Sequence, residues 1–263
     1  MKKILFLSVL LILSCNDEYF IQGIEEVSNS PMVEEVIVNP LPSDPIVWFP
    51  FNGNTNDESG NELNGVLYEG EYTTCRSLLD NSSLQLNIDD NPIWGEENDR
   101  VEVDYSPLLN SNSLTISAWV NLNEKVGRYS NRSYSIVSRV DYENNGTPDE
   151  RVSYAFFINP DLNIEFGGKG QVINSEIPIT LNEWYHIAIT IDSWEAKIYL
   201  NGNLIHKEDI NEDLTLPNND NNLILGERRQ YNGYWYHFDG KLDDVGMWGR
   251  ALTPCEINDL YKM

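Results

Sequence analysis

Short apolar and β-branched runs alternate with turns rich in Asn, Gly and Asp from Pro45 to the end of the chain. In Thr115–Val120, polar and apolar side chains alternate, as in a strand with one buried face. His186–Ile191 is more apolar, which is typical of a central strand. Asn201-Gly202 is a strong hairpin signal, because both central residues of a type I′ turn need positive φ. These patterns predict a chain built mainly from strands.

The candidate strands follow one another at short spacing, which is typical of an all-β sandwich or barrel. They are Ile46–Phe51, Gly65–Glu69, Ser83–Leu86, Arg100–Val103, Leu114–Asn121, Tyr134–Val140, Ser153–Ile158, Asn163–Gly167, Trp184–Asp192, Glu195–Leu200, Asn203–His206, Asn222–Gly226 and Phe238–Trp248. Only the tail predicts a helix, with Thr253 as N-cap, Pro254 at the first position and Glu256 at the third. We therefore predict an all-β fold: a two-sheet antiparallel sandwich with one short C-terminal helix.

The first residues of the chain predict export. Two lysines precede the apolar run Ile4–Leu13, which is shorter than the roughly 20 residues needed to span a bilayer. Ile12–Cys15 resembles the lipobox of bacterial lipoproteins, and the resemblance implies a signal peptide over residues 1–14 and a lipid on Cys15. An ordinary signal peptide cut elsewhere, or a short buried helix, is the alternative.

Residues 15–44 differ in composition from the rest and predict an acidic, flexible tether before a domain that spans 45–263. Asn16–Asp44 holds seven acidic residues and no Lys or Arg. The acids directly after Cys15 resemble surface-export signals of some bacterial lipoproteins. We therefore expect an outer-membrane lipoprotein at the cell surface or on the periplasmic face, in contact with the membrane through Cys15.

The charge of the chain limits the classes of partner that it is expected to bind. The formal net charge is −25, from 42 acidic and 17 basic residues. Such a chain repels nucleic acid and anionic membrane surfaces, so we expect no nucleic-acid partner. Cations, neutral sugars and basic proteins remain compatible with it.

The cysteines fit an exported chain. If Cys15 is lipidated, Cys75 and Cys255 remain as an even pair in an oxidising compartment, where we expect them to form a disulfide. Two unpaired buried thiols are the alternative. The sequence has no CxxC motif or Cys/His cluster that would suggest zinc.

Four segments together carry a family resemblance. They are Trp48–Asn61, a strand followed by an Asp-rich loop; Leu114–Val120, LTISAWV; Trp184–Gly202, which begins WYHIAIT and ends IYLNG; and Phe238–Thr253, which begins FDGKLDDV and ends RALT. They resemble the laminin-G-like, concanavalin A-like jelly-roll domains of exported bacterial proteins. The resemblance implies a jelly roll over 45–263. It does not imply one function, because this fold hosts lectins, adhesion modules, hydrolases and structural domains.

Oxygen-rich residues predict a calcium site. Asp57–Asn61 packs oxygen donors into a Gly-containing loop, which suits a cation that takes about six to eight oxygens. If the first and last strands pair antiparallel, Asp57, Asn61 and Asp243 converge, and the resemblance implies a structural calcium at the same loop and strand. The alternative is that Asp57 caps an Asx-turn and Asp243 faces water.

Aromatic and basic side chains cluster just before the closing strand, over 228–237. Rings can stack on sugar faces and guanidinium groups can donate hydrogen bonds to hydroxyls. The expected ligand-binding residues are Tyr231, Tyr234, Trp235 and Arg228, with Tyr236, His237 and Arg229 beside them and Trp94 and Tyr129 in other loops. The alternative is ordinary strand packing, with half of these rings in the core. Trp48, Trp119 and Trp184 are expected core residues.

Catalytic motifs are weak in this sequence. Glu102-Val103-Asp104 begins the Glu-x-Asp-x-x-Glu pattern of laminarinase-type glucanases, but no third acid follows. Residue types used by polysaccharide lyases are present without a lyase motif, at Arg139, Tyr154, Gln171 and His186. We therefore expect a non-enzymatic lipoprotein that binds carbohydrate or another extracellular ligand. The alternatives are a protein-binding adhesion or assembly module and a glycan hydrolase or lyase.

Overall fold

The structure is a computed structural model that describes residues 40–88, 99–125, 130–140, 152–168, 171–210, 216, 220–229 and 235–263. Its strands are β1 Pro45–Phe49, β2 Gly65–Tyr68, β3 Glu71–Thr73, β4 Ser83–Leu86, β5 Arg100–Val103, β6 Leu114–Leu122, β7 Tyr134–Val140, β8 Val152–Ile158, β9 Asn163–Gly168, β10 Val172–Pro178, β11 Trp184–Ile191, β12 Glu195–Leu200, β13 Asn203–Asp209, β14 Leu223–Leu225, β15 Glu227–Arg229, β16 Trp235–His237 and β17 Gly240–Trp248. Pro107–Leu109 forms a 3-10 turn, and α1 spans Pro254–Lys262. Predictions that concern Cys15, Trp94, Tyr129, Tyr231 and Tyr234 lie outside the described residues.

The strands form two large antiparallel sheets that pack face to face, which confirms the predicted sandwich. An eight-stranded sheet has the order β13-β12-β11-β6-β17-β4-β3, with β1 also paired to β17. A seven-stranded sheet has the order β10-β9-β8-β7-β14-β5-β2, and β15 and β16 form a separate hairpin. Within the described ranges, no helix is long and apolar enough to cross a membrane.

Strand β6 lies at the centre of the eight-stranded sheet, between β11 and β17. Ile116 and Val120 are fully buried in the core between the sheets, which confirms the predicted apolar face. The opposite, polar face is buried as well. Thr115 Oγ1 donates to the Arg250 carbonyl at 2.7 Å, because the segment after β17 folds back over this face. Alternation therefore identified the inward face but not the cover on the outward one.

Helix α1 provides part of that cover. Thr253 Oγ1 accepts from the Glu256 N–H, and the Glu256 carboxylate accepts from the Thr253 N–H, so the predicted capping box is confirmed. The buried residues of the helix join a second apolar cluster outside the sheet, made of Trp48, Ala188, Tyr199, Trp248, Leu252, Ile257 and Leu260. This cluster fixes the C-terminus on the domain.

Two of the three tryptophans predicted as core residues, Trp48 and Trp119, are buried, but on the outer face of the eight-stranded sheet and not between the sheets. Trp48 belongs to the second cluster. Trp119 stacks on Tyr261 of α1, with ring centroids 5.6 Å apart. Trp184 is only partly buried. Burial of Trp48 and Trp119 thus comes from the helix, which the strand pattern does not place on this face.

The folded domain begins before the predicted boundary at Pro45. Leu41 packs against the second cluster, and the Pro42 carbonyl accepts from Trp248 Nε1 at 3.2 Å. These contacts lead directly into β1, which pairs antiparallel with β17 as expected for the first and last strands. Leu41 and Pro42, which the sequence assigns to the tether, therefore contact the folded domain.

The sequence pattern does not predict β10, which forms one edge of the seven-stranded sheet. Its sequence, VINSEIP, is mostly polar after Ile173, and Glu176 has a φ of +54°. Edge strands tolerate charged residues, proline and irregular backbone, because one side of the strand has no partner. This edge strand borders the surface described next.

Candidate ligand-binding surface

The outer face of the seven-stranded sheet carries a row of aligned side chains. The ladders align one residue from each of four neighbouring strands: Asn174 of β10, Glu165 of β9, Phe157 of β8 and Ser135 of β7. Ile164 and Phe166, on either side of Glu165, are fully buried between the sheets. Because side chains alternate along a strand, the aligned residues face away from the core. We call them the outer row.

The β15–β16 hairpin lies against the outer row. Arg228 pairs with Tyr236 across the hairpin. The guanidinium carbon of Arg228 lies 4.1 Å from the Phe157 ring centroid and 4.8 Å from the Tyr236 ring centroid. Ser138 Oγ donates to the Glu227 carbonyl at 2.6 Å, which ties the hairpin to β7. The guanidinium therefore contacts one ring of the sheet and one of the hairpin, as in cation–π pairs.

Arg228 is a buried cation with little compensation. Its side chain is 7% exposed, and the buried Nε has no hydrogen-bond partner among the described residues. Burial lowers the pKa of Arg228 to about 10, and nearby Tyr236 and Glu165 partly offset this effect. The group stays protonated at neutral pH. A buried charge with few hydrogen bonds costs free energy, so Arg228 is a candidate functional residue.

Glu165 is held in a fixed orientation beside this cation. Its Oε1 accepts from Asn159 Nδ2 and from Asn174 Nδ2, both at 2.6 Å. Oε2 accepts no hydrogen bond from a described residue. Burial raises the pKa of Glu165, while the hydrogen bond from Asn159 and the charge of Arg228 lower it. The half-buried carboxylate thus keeps one oxygen available to a ligand.

These groups allow the surface to make three kinds of interaction with a ligand. The partly exposed Tyr236 ring offers apolar area, Arg228 offers N–H donors, and Glu165 offers a fixed acceptor, while the Phe157 ring is buried beneath the guanidinium. A saccharide presents apolar C–H faces and hydroxyl groups that both donate and accept hydrogen bonds. A few convergent polar groups around aromatic side chains are typical of small-ligand sites.

Arg228, a predicted ligand-binding residue, lies on the hairpin and contacts Phe157 of the outer row. Phe157 and Glu165 on the sheet are not among the residues predicted from the sequence. The Trp235 backbone pairs with Arg229, while the Trp235 side chain lies outside the described part of the chain. The alternation of β9 shows that Glu165 faces outward, but no local pattern shows that β9 lies beside the hairpin.

Asp57, the first predicted calcium ligand, already has partners for both carboxylate oxygens. Oδ1 accepts from the backbone N–H groups of Trp48 and Ser59, both at 2.9 Å. Oδ2 accepts from the Leu63 N–H at 3.0 Å and from Ser59 Oγ at 2.7 Å. The bond to the Ser59 N–H is the Asx-turn that the sequence leaves open as the alternative.

The other two predicted calcium ligands have separate partners. Asn61 Nδ2 donates to two carbonyls at the start of β1, each at 2.9 Å. Asp243 forms an ion pair with Arg76. Among the described residues, no three or more His, Cys, Asp or Glu side chains are grouped to hold a metal ion. In this arrangement the side chains of Asp57, Asn61 and Asp243 all have protein partners.

Arg76 is the cation beside Asp243. Its second guanidinium nitrogen, Nη2, donates to Asp244 at 2.6 Å, and the group lies 4.5 Å from the Trp119 ring centroid. Burial raises the pKa of Asp243 to about 7, with the charge of Asp244 adding to the rise and Arg76 opposing it. Asp243 does not face water, as the alternative proposed, since it is 3% exposed. Arg76 instead links the loop after β3 to strand β17.

The predicted disulfide is not formed. Cys75 and Cys255 are both free thiols in the structure. Cys75 is buried after β3, and its Sγ lies 3.0 Å from Ser77 Oγ within the same turn. Cys255 lies on α1, where it is partly exposed. The Cys75 thiol is directed to a local partner, so an even number of cysteines does not identify a bonded pair.

The candidate catalytic residues are used to hold the fold together. Arg139 is fully buried and donates to the Leu109 carbonyl at 2.7 Å. His186 Nε2 lies 2.8 Å from Ser117 Oγ, and burial lowers the pKa of His186 to about 3, so its ring is neutral. Both side chains lie away from the outer row and fasten neighbouring segments.

Lys125 anchors the base of the hairpin and makes stability depend on pH. Its ammonium donates to the Ser133 carbonyl at 2.7 Å and to the His237 carbonyl at 2.6 Å. Burial lowers the pKa of Lys125 from 10.5 to about 7. Above pH 7 the unfolded chain therefore holds a proton that the folded chain releases, and the contribution of this group to stability rises towards pH 10.5.

We expect this linkage to appear when wild type is compared with Lys125→Met. Between pH 7 and pH 9, the free energy of unfolding of wild type should rise relative to the variant by about 2 kcal/mol. Urea denaturation at several pH values measures the difference. Parallel pH profiles for the two proteins would show that Lys125 does not titrate in this window.

Comparisons with known proteins agree with the architecture. A laminin G family model, described as the concanavalin A-like lectin/glucanases superfamily, matches residues 95–258. No curated protein sequence matches the chain significantly. The chain resembles domain 4 of AbnA, a GH43 extracellular arabinanase from Geobacillus stearothermophilus, in complex with arabinotriose. The TM-score is 0.60 at 17% identity, over 83% of this chain and 98% of that one.

Toxin binding domains share the same fold. The binding domain of Paraclostridial Mosquitocidal Protein 1 has a TM-score of 0.60 at 21% identity, over 83% of this chain and 52% of that one. A structure of botulinum neurotoxin type C, whose cell entry is dependent upon interaction with two ganglioside molecules, has a TM-score of 0.59 at 20% identity, over 83% of this chain and 51% of that one. The chain thus spans about half of each toxin domain. These likenesses confirm the predicted jelly roll.

Proposed function

The chain belongs to the concanavalin A-like lectin/glucanases superfamily, and on this basis we propose that its jelly roll binds carbohydrate at the outer row and the β15–β16 hairpin. The observation that carries the proposal is the burial of the charged Arg228 side chain against two aromatic rings. It is 7% exposed, contacts the rings of Phe157 and Tyr236, and leaves its Nε without a hydrogen bond among the described residues. Glu165 adds a fixed acceptor beside it.

Two similar structures support a saccharide as the class of ligand. The arabinanase domain was solved in complex with arabinotriose, and the type C toxin depends on ganglioside molecules for cell entry. The neighbours are binding domains in large part, which favours binding over catalysis for this chain. The scattered positions of Arg139 and His186 favour the same choice.

The proposal includes the setting in which binding takes place. A lipid on Cys15 and a short acidic tether attach the domain to the outer membrane, at the cell surface or on the periplasmic face. The net charge of −25 keeps such a domain off anionic surfaces and leaves neutral ligands accessible. The protein then acts as a glycan receptor of the cell envelope.

The proposal predicts that glycan binding depends on Tyr236. The purified protein is screened on an array of neutral and acidic oligosaccharides that includes arabinotriose, and hits are measured by titration calorimetry. Tyr236→Ala should weaken binding about tenfold, a loss of roughly 1.4 kcal/mol, because buried aromatic and arginine anchors dominate binding energy. Arg228→Ala should weaken it at least as much.

Trp194→Ala is the matched control. Trp194 is an aromatic residue in the β11–β12 turn and is 80% exposed, so its removal tests whether any exposed ring contributes. Binding should be unchanged in this variant. Failure of the wild type to bind any glycan, or equal binding by wild type, Tyr236→Ala and Arg228→Ala, would remove the proposed site. A protein ligand retained by the same surface would then be the remaining function.

A further inference from the structure

The proposed carbohydrate site contains one positive and one negative group in the described region, and their balance bears on the type of sugar. Arg228 is protonated, and Glu165 is the acidic residue near enough to affect its pKa. The two side chains are not joined by a hydrogen bond or ion pair, although both are at least partly buried. Each therefore keeps hydrogen-bonding capacity for a ligand.

The orientation of Glu165 is set before any ligand arrives. Asn159 lies in the turn between β8 and β9, and Asn174 lies on the edge strand β10. Both amides donate to the same oxygen, Oε1, at 2.6 Å. This leaves Oε2 as a preorganised acceptor, and preorganisation reduces the entropy lost on binding.

A hydroxyl group matches both unused functions. It donates to a carboxylate through its O–H and accepts from a guanidinium through its lone pairs. Neighbouring hydroxyls of one uncharged sugar can satisfy Glu165 and Arg228 together. A carboxylate or sulfate on the sugar would instead accept from Arg228 only and would lie close to the negative charge of Glu165.

Resting on the proposed function, we infer that the site takes an uncharged sugar unit and that Glu165 is the residue that excludes acidic sugars. Asn159 and Asn174 are positioning residues, since they act through Glu165. The net charge of −25 adds a long-range bias in the same direction. Glu165 sets the local, site-specific part of this preference.

The test uses the hexose oligosaccharide that binds most tightly in the array and its counterpart of equal length and linkage that differs only at C6, where one member carries a hydroxymethyl group and the other a carboxylate. For a mannan hit the counterpart is oligomannuronate of the same linkage. We expect wild type to bind the neutral member at least tenfold more tightly. In Glu165→Gln, which keeps the shape and can still accept from both asparagines, the neutral sugar should bind about tenfold more weakly and the acidic one more tightly.

Glu71→Gln is the control for overall charge. Glu71 is exposed on β3 of the other sheet, so this variant changes net charge equally without touching the site. It should bind both sugars as wild type does. The inference is overturned if the acidic member binds better to wild type, or if Glu165→Gln behaves like Glu71→Gln. Either result, with binding still lost in Arg228→Ala, leaves the proposed function standing; absence of all glycan binding removes both.

Discussion

Replacing Asp57 with alanine is expected to lower the free energy of unfolding by about 3 kcal/mol, whether or not calcium is present. The side chain accepts four hydrogen bonds, three of them from backbone N–H groups. One of these donors belongs to Trp48 in β1 and another to Leu63 beyond the loop. The variant leaves them without an acceptor and loosens the connection between the first strand and the loop that follows it.

The experiment is a thermal melt of wild type and variant in chelator, in millimolar calcium and in millimolar magnesium. For a domain of this size, about 3 kcal/mol corresponds to a fall in melting temperature of roughly 6–12 °C. Glu58→Ala is the matched control, because Glu58 is the exposed neighbouring acid and its loss changes net charge equally. It should melt within about 2 °C of wild type.

The calcium arm separates two roles for the same residue. If Asp57 acts only as a hydrogen-bond acceptor, wild type melts at one temperature in all three buffers and Asp57→Ala melts lower in each. If the loop binds calcium after rearrangement, wild type alone gains stability in calcium, by about 1.4 kcal/mol at tenfold the dissociation constant. The second result would contradict the hydrogen-bonded arrangement described above and would support the predicted calcium site.

Local chemistry in the sequence was enough to predict much of the fold. The Asn201-Gly202 turn lies between β12 and β13, and the Thr253–Glu256 capping box starts α1. These features depend on residues a few positions apart, where backbone and side-chain preferences act directly. The importance of Asp57 was also visible, although oxygen-rich loops satisfy backbone donors as readily as they bind a cation, and sequence does not decide between the two.

The proposed ligand surface depends on pairing between distant strands, which local sequence patterns do not reveal. Glu165 acquires its proposed role because β10 supplies Asn174 on one side and the hairpin supplies Arg228 on the other. Neither neighbour is close to it in sequence, and β10 has the polar composition of an edge strand. Likewise, Arg76 forms an ion pair with Asp243, a predicted calcium ligand that lies 167 positions away in the sequence. Long-range register, which no local pattern encodes, decides both sites.

The strongest effect on folding is expected for Gly240→Ala, at about 4 kcal/mol or more. Gly240 begins β17 and has a φ of +144°, a backbone conformation that residues with a side chain rarely adopt. A Cβ atom at this position would lie 2.1 Å from the Asn121 carbonyl oxygen and 3.0 Å from the Leu122 Cα. Both contacts are with the backbone of β6, at the centre of the sheet, where no flexible side chain can move away.

Substitutions at two other glycines separate the two causes, backbone strain and steric overlap with a neighbouring strand. Gly60 has a φ of +93° but nothing within 4 Å of the added Cβ, so Gly60→Ala measures backbone strain alone and should cost about 1–2 kcal/mol. Gly167 has neither problem, since its nearest contact is Phe157 Cε1 at 3.4 Å, and Gly167→Ala should change stability by less than about 1 kcal/mol. Urea denaturation of the three variants should show the largest loss of stability for Gly240→Ala, a smaller loss for Gly60→Ala and the smallest for Gly167→Ala. If the loss in Gly240→Ala approaches the stability of the whole domain, little of that variant will be folded. Equal losses for Gly240→Ala and Gly60→Ala would mean that β17 can shift away from β6, and that the close approach of the two strands does not require glycine.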